Sequence, residues 1–476
     1  MLAEARMFSK KNSSCFEMDT LGWKDVRLEH GKDFLVVRVP SRCDILKMRG
    51  AAALANPQQE IENALSKPIE SRPVENIIAS HKSPSETSVA IAVSDDTRPV
   101  PYNGEREDGI LLPLLRRLER IGVKSKNIKI VVATGTHLST SQEWKKEAFG
   151  EFINTRYKIL DHDSSSSELS CLGSIDGIEV KINREFLKAD IHIITGLVEP
   201  HFMAGFSGGR KAICPGLVNS ETTHFFHSAE FMDNPNATNL VLKGNPCHDV
   251  ASKVAHRARV DFSVNVTLNG EGKVTGVFAG HLDRAYYEAV AKARIQSAIP
   301  VKREYDIVLT QGGSVATNHY QAAKAAYGVI PVIKRGGIVI LAAHNSSEEP
   351  VGKDDYIKVM ETLAQTGPGG FTRVIKSSGW RFVPDQWQAQ KWDQFFSKIG
   401  DFDGLIYCTT NIPPGNLKEL PGKSGFELVG EKSVKIDEML QKAIFYAIRK
   451  MERRTTGKPS IALVREGPYA VPAKGD

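Results

Sequence analysis

The sequence is poor in cysteine, with six in 476 residues at positions 15, 43, 171, 214, 247 and 408. They form no CxxC pair and keep no regular spacing, which excludes a disulfide framework and a thiolate zinc centre. Long apolar runs are also missing: none reaches the roughly 18 residues that a membrane-spanning helix needs. The opening stretch, MLAEARMFSKKNSSCFEMDT, has no apolar centre of the kind a secretion signal carries. We therefore expect a cytoplasmic protein with no membrane partner. No basic tract is interleaved with aromatics, and a net charge of +6 is mild for this length. Nucleic acid is excluded as a partner, and small acidic ligands are expected instead. No solenoid-type repeat is present.

Hydrophobic residues make up 41% of the chain and charged residues 25%, the proportions of a globular protein. A chain this long exceeds one ordinary core, so two domains are expected. Short β-branched runs alternate with amphipathic stretches. The expected strands are 88–94, 127–134, 190–196, 305–311, 337–343, 404–410 and 460–466; the expected helices are 109–122, 283–299, 321–335, 354–365 and 435–454. Continuous Val/Ile runs between helices indicate mainly parallel sheets covered on both faces, hence an α/β fold. The polar segment 161–180 reads as a loop or edge hairpin. A domain boundary is expected at SAIPVKREYD (297–306), where a helix stops at proline and a strand opens. The expected architecture is thus two α/β domains, 1–299 and 300–454, with 455–476 rejoining the first and an active-site cleft between them.

In open α/β sheets, ligands bind beyond the carboxyl ends of the strands. Four expected strands run into polar residues there: Asp95-Asp96-Thr97-Arg98, Gly135-Thr136-His137, Glu199-Pro200-His201 with a glycine loop, and Gly312-Gly313 followed by Asn318-His319-Tyr320-Gln321 and Lys324. The loop Gly205-Phe-Ser-Gly-Gly-Arg-Lys211 resembles a P-loop, but Ala212 stands where a magnesium-holding Ser or Thr belongs. A phosphotransferase fails on that residue, and the loop is either an anion cradle or a tight turn with solvated cations. His224 and His227, three apart, could share a helix face and grip a metal, yet no HExxH or third ligand accompanies them. His137 and His201 stand just past strands, where imidazoles serve as acid or base near neutral pH. Arg98 is either salt-bridged or a bidentate carboxylate clamp. Lys324, one turn after Tyr320, is either a second cation or an ordinary solvated lysine.

Taken in order, SDDTRP (94–99), GTH (135–137), EPHxxAGFSGGRKxIxPG (199–216), the histidine sixteen residues after that lysine, YQAxK (320–324) and PDQWQ (384–388) resemble the nickel-dependent lactate racemase family over about residues 88–390. The resemblance implies an isomerase, a racemase or epimerase acting at C2 of a 2-hydroxyacid. It implies a nickel-pincer nucleotide (the nickel-bound pyridinium-3-thioamide-5-thiocarboxylic acid mononucleotide) attached to Lys211, with His227 as the nickel ligand and Asp95, Thr97, Gly208, Gly209 and Arg210 around the cofactor. His137 and His201 are the implied acid/base pair; Arg98, Tyr320, Gln321, Lys324 and Trp387 are the implied substrate contacts. The first domain would hold the cofactor and the second complete the substrate site. The implied partners are a small 2-hydroxyacid and the enzymes that make the cofactor.

The implied chemistry suits these residue types. The α-hydrogen of a hydroxyacid anion is a very weak acid, and leaves more easily as hydride if an electron-poor acceptor is at hand. One histidine takes the hydroxyl proton; a second, opposite, serves the mirror-image alcohol. The N-terminal sixty or so residues lie outside the resemblance, and His319 adds an ionisable group beside Tyr320. Two rival readings are an epimerase of longer polyhydroxy (sugar) acids by the same chemistry, and a binder of nucleotide or hydroxyacid without turnover. Cys214 reads as a small buried hydrophobe.

Overall fold

The computed structural model describes residues 22–430 and 434–474; Cys15 lies outside them. Two six-stranded sheets form the frame. In space the first runs Val274–Gly280, Phe262–Leu268, Ile191–Leu197, Val89–Ser94, Ile128–Ala133, Lys158–Asp161. All its neighbours are parallel except the antiparallel edge pair Phe262–Leu268 with Val274–Gly280. The second runs Lys423–Ser424, Leu405–Cys408, Ile333–Ala342, Tyr305–Gln311, Ile461–Val464, Asp44–Leu46, parallel throughout. The central strands are apolar on both faces because helices cover both: every residue of Ile191–Leu197 and of Tyr305–Gln311 is buried.

Strand order reverses once in each sheet. In the first, the chain fills one side from Val89–Ser94 through Ile128–Ala133 to Lys158–Asp161, then crosses to Ile191–Leu197 on the other side. The loops after Val89–Ser94 and Ile191–Leu197 therefore diverge and leave a crevice at their carboxyl ends. Those loops are the ones that carry Asp95–Arg98 and Glu199–Lys211.

Each expected strand is present within a few residues. The hairpin Ser170–Ile175 with Ile178–Ile182 occupies the polar segment 161–180. Three features differ from expectation. The helix expected over 321–335 is His319–Gly328, and the chain re-enters the sheet at Ile333, because Pro331 has no N–H to continue a helix. The segment expected to rejoin the first unit divides: Ile461–Val464 lies beside Tyr305–Gln311 in the second sheet, while Val471–Lys474 pairs with Ala298–Val301 and Val471 shares a core cluster with Val198, Phe206 and Tyr286. Asp44–Leu46 joins the second sheet too, so the strands do not divide at residue 299.

Several helices lie outside the expected set, among them Gln142–Arg156, Pro246–Arg257 and Gln386–Ile399. Gln386–Ile399 buries Gln386, Gln388, Gln390, Lys391 and Asp393 along with its aromatics. These side chains are anchored: Gln390 Nε2 donates to Ala229 O (2.9 Å), Lys391 Nζ to Ala237 O (2.8 Å) and Met232 O (3.1 Å), and Asp393 accepts from Gly369 N and Thr372 N, while Gln390 Oε1 is buried without a partner. Among the described residues no helix is long and apolar enough to cross a membrane.

Candidate active site

The turn after Val89–Ser94 is built by Asp95. Its Oδ1 accepts from Thr97 N (3.2 Å) and Thr97 Oγ1 (2.6 Å), an arrangement in which an Asp side chain substitutes for a backbone turn. Its Oδ2 lies 2.6 Å from His137 Nδ1. Burial pushes the Asp95 carboxyl upward, but the His137 charge and hydrogen bond and the Thr97 hydrogen bonds outweigh it and hold the group below its ordinary range. Asp95 is therefore ionised and can only accept, so His137 carries a proton on Nδ1, and the neutral form of the ring has its lone pair on Nε2. Arg98 donates from Nη1 to Thr97 O (2.7 Å), and its Nε lies 3.3 Å from Glu199 Oε1.

His201 is oriented in the opposite sense. Its Nδ1 accepts from Met203 N and Ala204 N, both at 3.2 Å. The neutral ring thus holds its proton on Nε2. Burial, and then the charges of Lys211, Arg98, Lys324 and His227, push its pKa far down.

The glycine loop divides its duties. Gly208 takes φ +71°, and a Cβ there would stand 2.7 Å from Val198 Cγ2 and 3.0 Å from Leu197 O, so only glycine lets the loop lie this close to the strand end. Gly209 N–H is already used by Asn265 Oδ1 (2.9 Å). Arg210 turns into the protein: its guanidinium donates to Ala204 O (3.0 Å), Phe206 O (3.2 Å) and the Tyr286 hydroxyl, with the Tyr286 ring beneath it. Neither Gly209 nor Arg210 lines the cavity. The expected cationic helper is a brace for the loop, because the carbonyls of 204 and 206 need a buried donor. Lys211 does face inward, with Nζ 4.9 Å above the Phe226 ring. Burial, then the charges of Arg98 and Arg210, lower it to about 7.

One cavity gathers Asp95, Thr97, Arg98, His137, His201, Gly208, Lys211, His227, Tyr320, Gln321, Lys324 and Trp387, from both halves of the chain. Tyr320 Oη accepts from Trp387 Nε1 (2.9 Å), which fixes the wall that the second half supplies. Gln321 Oε1 is buried without a partner, an acceptor left for a ligand hydroxyl. His319, by contrast, is outside the cavity: it stacks on Trp392 (4.8 Å) and its Nδ1 lies 2.8 Å from the Tyr356 hydroxyl. Cys214 is buried beneath the loop, and burial raises its thiol to about 12. The sequence assigns no role to three participants: Gln388, which lines the cavity, and Glu199, both inside the ordered motifs, and Asn265, which lies in none.

His227 closes the helix Ser220–Phe226, and its Nδ1 lies 2.9 Å from Thr223 O. A carbonyl can only accept, so Nε2 keeps its lone pair, the form a metal ligand requires. The ring stacks on Trp387 at 4.7 Å. His224 does not join it; its ring lies against Phe382 at 4.3 Å. Among the described residues no three metal-ligating side chains cluster, so the chain by itself offers a metal one imidazole and not a cage. That donor set fits a metal already held by a cofactor. A buried amine whose pKa burial brings down toward neutrality fits covalent attachment of that cofactor, since the free amine is the form that is acylated.

Residues 30–239 match the model of the lactate racemase N-terminal domain. The lactate racemase of Thermoanaerobacterium thermosaccharolyticum is 32% identical over 378 residues, covering 77% of this chain and 84% of that one. That of Lactiplantibacillus plantarum is 30% identical over 364 residues, covering 75% and 81%. The fold superposes on the structure of the Thermoanaerobacterium thermosaccharolyticum lactate racemase apoprotein with a TM-score of 0.79 at 26% identity, over 95% of this chain and all of that one. A Thermotoga maritima protein of known structure shares the fold at a TM-score of 0.63 and 17% identity, over 90% of this chain. The ordered motifs, the α/β frame and these relatives agree: the chain belongs to the lactate racemase family of isomerases.

Proposed function

We propose that the protein inverts C2 of a 2-hydroxyacid by reversible hydride transfer, with a nickel-pincer nucleotide attached through Lys211 and ligated by His227. The observation that carries this reading is the meeting, in one cavity, of two imidazoles in opposite tautomers with a depressed lysine amine and the cations Arg98 and Lys324. When bound, the cofactor supplies the electron-poor acceptor that lets the C2 hydrogen leave with its electron pair. The chain supplies positions and protons. Arg98 and Lys324 hold the substrate carboxylate, and Gln321 Oε1 accepts from a hydroxyl. Gly208 lets backbone approach the nucleotide.

His137 Nε2 takes the hydroxyl proton, and Asp95 stabilises the imidazolium that results. The mirror-image alcohol sets its hydroxyl beside His201, whose Nε2–H first donates to the oxygen. To take a proton there, that ring has to give up its contacts with Met203 and Ala204. In this reading the first half of the chain holds the cofactor and the second completes the substrate end, the cavity acting as a cleft whose closure excludes water. The enzymes that make the nucleotide are the partners it requires.

The test is stereochemical turnover of a panel of chiral 2-hydroxyacids by protein produced together with the cofactor-synthesis enzymes. Intact mass should exceed the chain mass by one cofactor, and Lys211→Ala should abolish the increment. Deuterium at C2 should slow turnover and stay in the product; its replacement by solvent hydrogen would overturn hydride transfer. Preference for sugar acids over lactate would assign the longer polyhydroxy substrates instead.

A further inference from the structure

We propose that Glu199 is a positioning residue that holds Arg98 and Lys324 from behind and limits their combined charge to one unit, making the site selective for 2-hydroxymonocarboxylates over 2-hydroxydicarboxylates. The inference rests on the racemase reading for the kind of substrate, and adds its charge class.

Glu199 follows the strand Ile191–Leu197, and its backbone is gripped by Ser207. Glu199 N–H donates to Ser207 Oγ (3.1 Å), and Ser207 N–H donates to Glu199 O (2.9 Å). The side chain, 17% exposed, lies 3.3 Å from Arg98 Nε. It does not line the large cavity. It lines a separate void of ≈ 20 Å³ behind it, shared with Arg98, His201, Lys324 and Tyr469. A void of that size has room for about one water, so Glu199 meets no substrate. Arg98 and Lys324 line both spaces, and stand between the carboxylate and the ligand.

The Arg98 guanidinium, 3.3 Å from Glu199 Oε1, favours the ionised carboxylate, and that carboxylate favours the protonated form of Lys324, which lines the same void. Burial works against both charges. With Glu199 ionised and Lys324 protonated, their charges cancel and Arg98 leaves one positive unit. One carboxylate neutralises that unit. A second carboxylate would enter a cavity where ionised Asp95 already stands, with no cation to match it, and unpaired like charge in a buried site is costly.

The test compares wild type, Glu199→Gln, Glu199→Asp, Lys324→Met and the double variant Glu199→Gln/Lys324→Met. Calorimetry on the cofactor-free chain, with L-lactate and L-malate as probes, is run above pH 8, and KM and kcat are measured on the loaded enzyme. Glu199→Gln should shift the malate-to-lactate affinity ratio upward by about tenfold, and move KM more than kcat. Glu199→Asp should restore the wild-type ratio. Lys324→Met, which leaves Arg98 and Glu199 to cancel, should lose lactate affinity, and the double variant, with Arg98 alone, should regain it. An unchanged ratio in a normally folded Glu199→Gln protein would overturn the proposal. If that variant does not fold, failure of the double variant to regain lactate affinity overturns it. Because binding is read without turnover, absence of racemisation alongside these shifts would remove the racemase reading alone.

Discussion

The Nδ1 of His137 and the Oδ2 of Asp95 stand 2.6 Å apart, and this single hydrogen bond decides which nitrogen of His137 can act on a ligand. Asp95→Asn keeps the shape but offers an amide that can donate, so the ring is free to place its proton on Nε2 and lose its base. Turnover should fall by on the order of 10²–10⁴, while urea unfolding and anion binding change little. Turnover within a few-fold of wild type would remove Asp95 from the mechanism.

The opposite tautomers of His137 and His201 predict unequal first half-reactions. Enantiomers have equal free energy, so kcat/KM must match in the two steady-state directions. The asymmetry is visible only in single turnovers started from each pure enantiomer. The enantiomer whose hydroxyl meets His137 should react faster, and His137→Gln should slow that one more than the other, with His201→Gln doing the reverse. Equal rates in wild type and equal slowing in both variants would contradict the assignment.

Lys391 joins the helix Gln386–Ile399 to the carbonyls of Met232 and Ala237. Lys391→Met keeps the bulk and strands both acceptors, at a cost of about 2 kcal/mol, readable as a lower urea midpoint. KM should rise as well, since Trp387 and Gln388 on the same helix line the cavity. Loss of stability with an unaltered KM would separate the helix from the site.

Asp190 accepts from Ser88 N (2.8 Å), Ser88 Oγ (2.6 Å) and Lys82 Nζ (2.7 Å). Burial works to raise its carboxyl, but Lys82 and Ser88 prevail and hold it well below the ordinary range. A carboxyl depressed on folding adds stability that is whole above the unfolded value of about 4 and is lost as pH falls through the folded one. Acid should therefore destabilise the wild type below about pH 4 more steeply than Asp190→Asn, in unfolding curves taken across that range. Parallel curves would show that the contacts are energetically silent.

Much of the frame was legible because a doubly covered parallel strand must be apolar on both faces, as Ile191–Leu197 and Tyr305–Gln311 are. The site was legible for a related reason: polar residues after such strands stand out. The helix Gln386–Ile399 was not, since its apolar stripe of Trp392, Phe395, Phe396 and Ile399 is preceded by buried Gln388, Gln390 and Lys391 and shares its turn with buried Asp393, and such polar residues read as a solvated face until their partners are known. Nor could a sequence say that Arg210 turns inward to the carbonyls of Ala204 and Phe206 while its neighbour Lys211 faces the cavity. Adjacent cations look alike until the loop around them is closed. Glu199 was hidden in the same way, as an acidic residue whose partners, Arg98 and Lys324, are distant in the chain.

The anchoring of Gln390 and Lys391 to the segment around residues 229–237 also bears on how the cavity comes into being. Trp387 and Gln388 are carried by the same rigid rod, one turn away, so the wall they form takes its shape only once that rod is seated against the earlier part of the chain. The shape of the cavity therefore depends on contacts that no ligand touches: disturbing the seat of this helix on residues 229–237 would displace the wall as well.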